Sequence, residues 1–425
     1  GFGRTGTVDW DTTAKTATFS AVSGNGYFCN TSGGAFTVNL PAGAAGAIVS
    51  VADYAATWQT NNLTVSPNGS EKIGGENVSV TLDTEGQSVT FVYVDATQGW
   101  INTMDSTSNV RGNPNLTATV SGACNTLVTA PCCANVKIAT FTGPGSFTVT
   151  NAAACAANNV VSYMVVAGGG GGGSGYSISP DTGNASGAGA GAGGFREYKS
   201  PVTPYTASPL DGNPGGTAVT VSAQAYAITV GGGGAQPPSP GTEASDGSNS
   251  VFSTITSAGG GRGGANKRNG GTGGSGGGRG GEANPGTGAA GNTPPTSPAQ
   301  GRAGGAGGYG GPNYGSGGGG GATTDGGNGS PSVSGNGGAG ATTSISASPT
   351  AYAGGGGASS YCSAITSGGT GGGGAGAKRS PEIAAENGTD NTGGGAGGGV
   401  GGAGAGASYG GTGGSGIVII RYKFQ

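Results

Sequence analysis

The placement of glycine constrains this chain more than any other feature. Of 104 glycines among 425 residues, 86 fall between 168 and 416. Leu, Ile, Val and Phe do the reverse: that stretch of 249 residues holds 16, and the other 176 residues hold 41. A core of large side chains therefore has no material there. Over the whole chain these four types make about 13%, below the ~20% at which a conventional core becomes doubtful. The polypeptide reads as two materials. A strand-rich part comes first, and a glycine-rich body follows, closed by a short apolar tail.

Residues 1–110 read as all-β. "TATFSAV" (16–22), "AFTVNL" (35–40), "AIVSVADY" (47–54), "LTVS" (63–66), "VSVTL" (78–82) and "SVTFVYV" (88–94) are short, alternating and rich in Val, Thr and aromatics. Turn signals at 23–26, 32–34, 67–69 and 85–86 separate them, which suggests a sandwich, prism or small barrel. Trp10, Trp58 and Trp100 read as core or subunit-contact anchors, with ligand stacking as the other use. Residues 111–135 read as a connector. Its Cys124, Cys132 and Cys133 do not have zinc-site spacing, and either a disulfide or free thiols fits. Residues 136–425 form the third segment. Strands are expected at 136–151, around a hairpin at "GPG" (143–145), and at 159–168, 194–200, 218–230 and 250–256. The tail "GIVIIRYKF" (416–424) is expected to pair with 160–166 or 218–230.

About a dozen glycine runs fill the body, among them 168–175, 187–194, 259–264, 270–281 and 393–406. Disorder is one reading of such composition. Bracketing by apolar strands, recurrent spacers and alanine as the usual filler argue for order. A collagen period is absent, and silk-like alternation is confined to two places. The ordered alternative is a bundle of polyglycine-II helices. These have three residues per turn and no internal hydrogen bonds, so their N–H and C=O groups bond to neighbouring helices. Only glycine, with some Ala or Ser, lets backbones approach that closely. The polar spacers at 176–186, 235–250, 282–300, 322–334, 342–353 and 377–392 then become display loops. Essentially no α-helix is expected.

Other chemistries find little support. His is absent, so histidine-dependent catalysis is excluded. No Gly-Lys dipeptide exists for a phosphate loop, and GxGxxG matches are expected by chance at this glycine content. Glu382 and Glu386, four apart, resemble a carboxylate pair but read as a solvated turn. Asp181, Asp246, Asp325 and Asp390 are loop acids conceivable for calcium, although the calcium nonapeptide repeat is not matched. No enzyme activity, cofactor or metal is expected. Sixteen basic against 19 acidic residues argue against nucleic acid or an anionic membrane as partner, despite two RGG-like pieces at 260–264 and 276–282. No apolar run is long enough for a membrane-spanning helix. The start at Gly1 reads as processed or trimmed. Tyr309, Tyr314, Tyr352, Tyr361 and Tyr409 lie in or beside glycine runs, where they either cap edges or form an aromatic patch.

The ordered series "FTGPGSFTV" (141–149), "YMVVAGGGGGG" (163–173), "GAGGFREYKSPVTPY…AVTVSAQAYAITVGGGG" (192–234), "GSNSVFSTITSAGGG" (247–261) and "GGTGGSGIVIIRYKF" (410–424) resembles the glycine-rich domain of phage tail-fibre proteins. Segments 8–43 and 51–70 are similar to modules of marine cyanophage virion and fibre proteins. The resemblance implies a virion-attached, non-enzymatic fibre or adhesin, extracellular after release. It implies a polyglycine-II bundle whose loops touch a host surface polysaccharide or outer-membrane protein. Contact candidates are Tyr309, Tyr314, Tyr352, Tyr361, Lys378 and Arg379. Other virion tail or fibre proteins, and a homotrimer through the N-terminal β module, are the further partners expected. A self-assembling filament or capsid-surface appendage without receptor specificity is the alternative.

Overall fold

The computed structural model describes residues 8–106, 115–131, 133–176, 186–281, 286–310, 314–401 and 409–424. The chain divides into two compact units, Gly1–Gly112 and Asn113–Gln425. Strands and extended segments build both, and no α-helix occurs among the described residues. Cys132, Asp181 and most of the 176–186 spacer lie outside the described residues.

The first unit holds β1 (Asp9–Lys15), β2 (Phe19–Ser20), β3 (Asn25–Cys29), β4 (Phe36–Asn39), β5 (Ile48–Asp53), β6 (Leu63–Ser66), β7 (Val80–Leu82), β8 (Ser88–Asp95) and β9 (Gly99–Ser106). They form two sheets, ordered β1-β3-β5-β8-β9 and β2-β4-β6-β7. The chain switches sheet at each step from β1 to β6, and these strands pair in parallel within each sheet. The result is three solenoid-like rungs closed by the antiparallel strands β7, β8 and β9. Alternation along each strand sends Val38, Val49, Val51, Leu63 and Val65 inward, all fully buried. Trp58 and Trp100 complete this core, while Trp10 is 44% exposed and stacks on Phe28 at 4.9 Å. Three of the nine strands, β1, β3 and β9, were not expected from the sequence. The glycines at 24 and 26 make the start of β3 look like a turn.

The second unit contains β10 (Thr117–Ser121), β11 (Thr126–Ala130), β12 (Cys133–Phe141), β13 (Gly145–Asn151), β14 (Val160–Val166), β15 (Phe195–Tyr198), β16 (Val219–Thr220), β17 (Ala225–Thr229), β18 (Ser250–Phe252), β19 (Ile255–Ser257), β20 (Ala341–Thr343), β21 (Thr350–Tyr352) and β22 (Ile417–Lys423). The sheets are β11-β12-β22-β14-β15 and β10-β13-β17-β18-β19. The terminal strand β22 sits between β12 and β14, with Ile417 opposite Val166 and Val418 opposite Phe141. Two expectations are corrected. Residues 111–135 are not a free connector, since β10 and β11 belong to the two sheets. The "GPG" turn does not close a hairpin, because β12 and β13 lie in different sheets. The chain bends from one sheet to the other there, as it does between β10 and β11. Asn125 ties the two bends, donating to Ser121 O at 2.8 Å and accepting from Thr142 N at 3.1 Å.

One face of the β22 sheet, through Phe141, Tyr163, Val165 and Val418, packs on Phe147, Ile228 and Phe252 of the second sheet. The other face, through Ile138, Met164, Val166 and Ile419, packs on Ala192, Ala322 and Ala353 of the glycine body. Glycine segments thus grow directly from the ends of β14 and β22.

Within the body, hydrogen bonding rotates with a period of three residues. Gly187, Ala190 and Gly193 donate to Gly399, Ala396 and Gly393; Ala188, Gly191 and Gly194 donate to Gly264, Gly261 and Ala258; Gly189 and Ala192 donate to Gly317 and Gly320. These bonds measure 2.8–3.1 Å. The carbonyls of 187–192 accept from three further segments, represented by Gly173, Gly278 and Gly356. Segment 187–194 therefore has six neighbours. Segment 168–173 repeats the pattern, donating in turn to 245–248, 411–414 and 188–191. A Cβ added to Gly189 or Gly191 would fall on the carbonyl of Gly356 or Ser275, which explains glycine at these positions. Ala188, Ala190 and Ala192 fill the places where a methyl fits, and all three are fully buried.

Candidate functional site

The turns between these segments sort into two groups. At the sheet end lie the turns at 292–300, 322–325 and 371–373 and the β20–β21 hairpin. Here Asn292 bonds to Gly274, which neighbours Gly259, and Ala322 bonds to Ala353. At the outer end lie the turns at 236–243, 265–270, 330–333, 361–366 and 378–383. Spacers 282–300, 322–334 and 377–392 are therefore not single display loops. Each contains a hydrogen-bonded segment, such as 286–291, that carries the chain from one end to the other.

The outer turns gather three of the sequence-derived candidates. Ser360 N donates to Ala377 O at 2.7 Å, and Arg379 N donates to Ser360 O at 3.1 Å. Lys378 and Ile383 exchange backbone bonds of 2.9 Å, so 378–383 is a tight closed turn. This brings the Arg379 guanidinium to 4.3 Å from the centre of the Tyr361 ring. Such stacking is worth about 0.5–1 kcal/mol at an exposed site. Tyr361 also packs on buried Ala377 and Val400. Ile365 and Ile383, in the same two turns, are both exposed.

Tyr309 and Tyr314 stand at the same end. Gly308 N donates to Gly315 O, and Gly315 N donates to Ser330 O, so their turn abuts the one at 330–333. Tyr309 is 61% exposed, and nearby Val333 is exposed too. Tyr314 is half-buried and adopts a φ of 46°, inside the left-handed region. Tyr409 is half-buried. Tyr352 is a correction. It lies on β21 at the sheet end, is buried and packs with Ile345 and Met164, so it is a core residue rather than a display residue.

An ion network braces two further outer turns. Arg262 bonds Glu243 at 3.0 Å and Asp246 at 3.1 Å, and Arg268 reaches Glu243 at 3.3 Å. Partial burial pushes the Glu243 carboxyl up, but the charges and hydrogen bonds of Arg262 and Arg268 outweigh it and hold the pKa below the ordinary value. The RGG-like Arg262 is therefore committed to internal contacts.

The loop acids considered for calcium have another use. Asp246 Oδ1 accepts from Arg262 N, Asp325 Oδ1 from Ala303 N and Asp390 Oδ1 from Ser415 N, at 2.8–3.1 Å. Three residues away, Asn249, Asn328 and Asn387 accept from Gly259, Ala306 and Thr412 N. Each pair caps two amides, three residues apart, of the adjacent glycine segment. The signal, two Asp or Asn residues three apart beside glycine, is present in the sequence at 246/249, 325/328 and 387/390. Glu386 Oε2 likewise accepts from Ala375 N at 3.1 Å, and both it and Glu382 are exposed, which fits the solvated-turn reading. Among the described residues no group of three His, Cys, Asp or Glu is placed to hold a metal, and no helix is long and apolar enough to cross a membrane.

A family model described as a glycine-rich domain matches residues 141–423. The chain belongs to this glycine-rich domain family. The matched range begins within β12 and ends with β22, so the glycine-rich domain includes most of the framing sheets as well as the glycine segments. No curated protein matches the chain significantly.

Proposed function

We propose that the chain is a phage tail-fibre or adhesin protein that binds a host surface polysaccharide or outer-membrane protein through the outer turns of its glycine-rich domain. In this reading the body is a polyglycine-II bundle, which the three-residue rotation of hydrogen-bond partners supports. The protein is a non-enzymatic virion component. Its first unit joins it to other tail or fibre proteins or to two further copies of itself. The observation that carries the reading is the collection of turns at one end of a backbone-packed scaffold, with Tyr309, Tyr361, Lys378 and Arg379 among them. A rigid scaffold that presents irregular turns of differing length is suited to recognition. The test is adsorption to a panel of host strains after turns 361–366 and 378–383 are exchanged for those of a related fibre. A changed host range is expected, and unchanged adsorption on every strain would rule out recognition by these turns.

A second reading, a self-assembling appendage, draws on the first unit. Exposed Trp10, Val94 and Met104 and the edge strand β1 offer surface for self-association. It requires open-ended polymers of the purified chain at micromolar concentration, and discrete small oligomers in mass photometry would remove it.

A further inference from the structure

A cleft of about 640 Å³ opens between the end of β22 and the 199–213 loop. This lies within the ~300–1,000 Å³ of small-ligand sites. Lys199, Lys423, Asp211, Asn213 and Asn135 line it. The fold brings the two lysines here from separate strands. Lys199 follows the end of β15, and Lys423 ends β22 two residues after Arg421. Arg421 is fully buried and donates to Pro204 O, a wall residue, at 2.7 Å. The cleft therefore has a fixed wall with a cation behind it.

Among the described residues neither lysine is ion-paired, in a chain with only 16 basic residues, and Lys199 Nζ stands 5.7 Å from the centre of the Tyr205 ring. Asp211 Oδ1 accepts from Lys199 N at 2.9 Å and Asn213 N at 3.1 Å, which orients the carboxylate and, among the described residues, leaves Oδ2 without a protein donor. Asn213 Nδ2 is held by Lys199 O at 2.8 Å, leaving its carbonyl oxygen as an acceptor. Two cations, one carboxylate oxygen and two amides match a ligand that carries both carboxylates and hydroxyls. No aromatic residue lines the cleft, so the stacking that neutral sugars rely on is missing and charge must supply the affinity. Asp211 also disfavours a compact dianion such as phosphate in the same space.

We propose that this cleft binds a carboxylate-bearing saccharide, with Lys199 and Lys423 receiving carboxylates and Asp211 accepting a sugar hydroxyl. The site is at the sheet end and does not depend on recognition by the outer turns.

The test is calorimetric titration of the full chain with trigalacturonate, maltotriose and inorganic phosphate. The acidic trimer alone is expected to bind. Its affinity should fall at least about tenfold in Lys199→Gln or Lys423→Gln, and again when salt is raised well above the level at which the Debye length is ~10 Å. No heat with the acidic trimer, equal binding of maltotriose, binding of phosphate alone, or undiminished affinity in both variants would each overturn the assignment. Should a variant fail to fold, saturation-transfer NMR on the unaltered chain decides. Transfer to the acidic trimer that high salt abolishes supports the site, and transfer indifferent to salt refutes it.

Discussion

The two units solve the same problem with different groups. The first is held by side chains: Trp58, Trp100 and a set of buried Val and Leu fill the space between two sheets. The glycine body is held by main chain, with segments such as 168–173 and 187–194 donating in three directions to their neighbours. In the first, stability depends on apolar area removed from water, about 25 cal/mol per Å². In the second, it depends on many backbone bonds, each worth about 0.5–1.5 kcal/mol net and costly if left unmade. A side-chain core tolerates substitutions that keep volume. A main-chain bundle tolerates none that adds a Cβ where a carbonyl lies, and few that rotate a donor away. The lesson is that scarcity of large apolar residues does not by itself mean absence of order.

This contrast can be broken by mutation. The largest effect is expected for Gly189→Val in the six-neighbour segment, where the new side chain meets the carbonyl of Gly356 with no flexible side chain to yield. A loss of at least about 3 kcal/mol, or failure of the second unit to fold, should appear in denaturant melts, with the first unit's transition kept. Ala190→Gly in the same segment should cost only about 0.5–1 kcal/mol. If the two substitutions cost the same, main-chain packing is not what holds the body. Next is Trp58→Ala, expected to cost about 3–5 kcal/mol and to unfold the first unit selectively. Loss of both transitions together would merge the two units energetically.

The outer caps give a smaller effect. Asp325→Ala with Asn328→Ala should cost about 1–3 kcal/mol and speed hydrogen exchange at Ala303 and Ala306, the amides they cap. Normal protection at both amides would mean the caps are dispensable. The smallest test is of pH. Glu197 is buried beside Met164, accepting from Ser208 N at 2.9 Å and from the Thr343 hydroxyl. Burial pushes its carboxyl above the ordinary 4.5, and these hydrogen bonds only partly offset that. With the folded pKa above the unfolded one, the folded state binds the proton more tightly. Glu197 therefore favours folding most below the unfolded value and loses that contribution as pH rises through the folded one. Glu197→Gln should flatten the fall of stability with pH just above 4.5, and an unchanged slope would exclude Glu197 as its source.

Much of this was legible in the chain. The apolar tail 416–424 is expected to pair with 160–166 or 218–230, because so apolar a strand at the edge of a glycine body has no other surface to bury, and β22 takes the first of these together with β12. The solenoid order of the first unit was not legible. Parallel rungs show the same two-residue alternation as an antiparallel meander, and Gly26 hides β3 because the Trp10 ring covers the place of its missing side chain. The "GPG" bend misled for a similar reason. Alternation specifies which residues face inward but not which sheet they join. At the outer end, proximity of Tyr361 to Arg379 required the backbone exchange between Lys378 and Ile383, and no local signal encodes a contact between residues 18 apart. Tyr352 lies beside a glycine run like the other tyrosines, but at the sheet end of that run, whereas Tyr361 follows its outer end.

The rotation of partners every three residues has a consequence for how such chains change. Removing one glycine from 187–194 would turn every later donor towards the wrong neighbour, whereas removing three would shorten the segment by one turn and leave each remaining pair intact. The segments are thus written in a triplet phase, like codons, while the connecting turns carry no phase at all. Variation in length should accumulate freely in the turns and enter the segments only in threes.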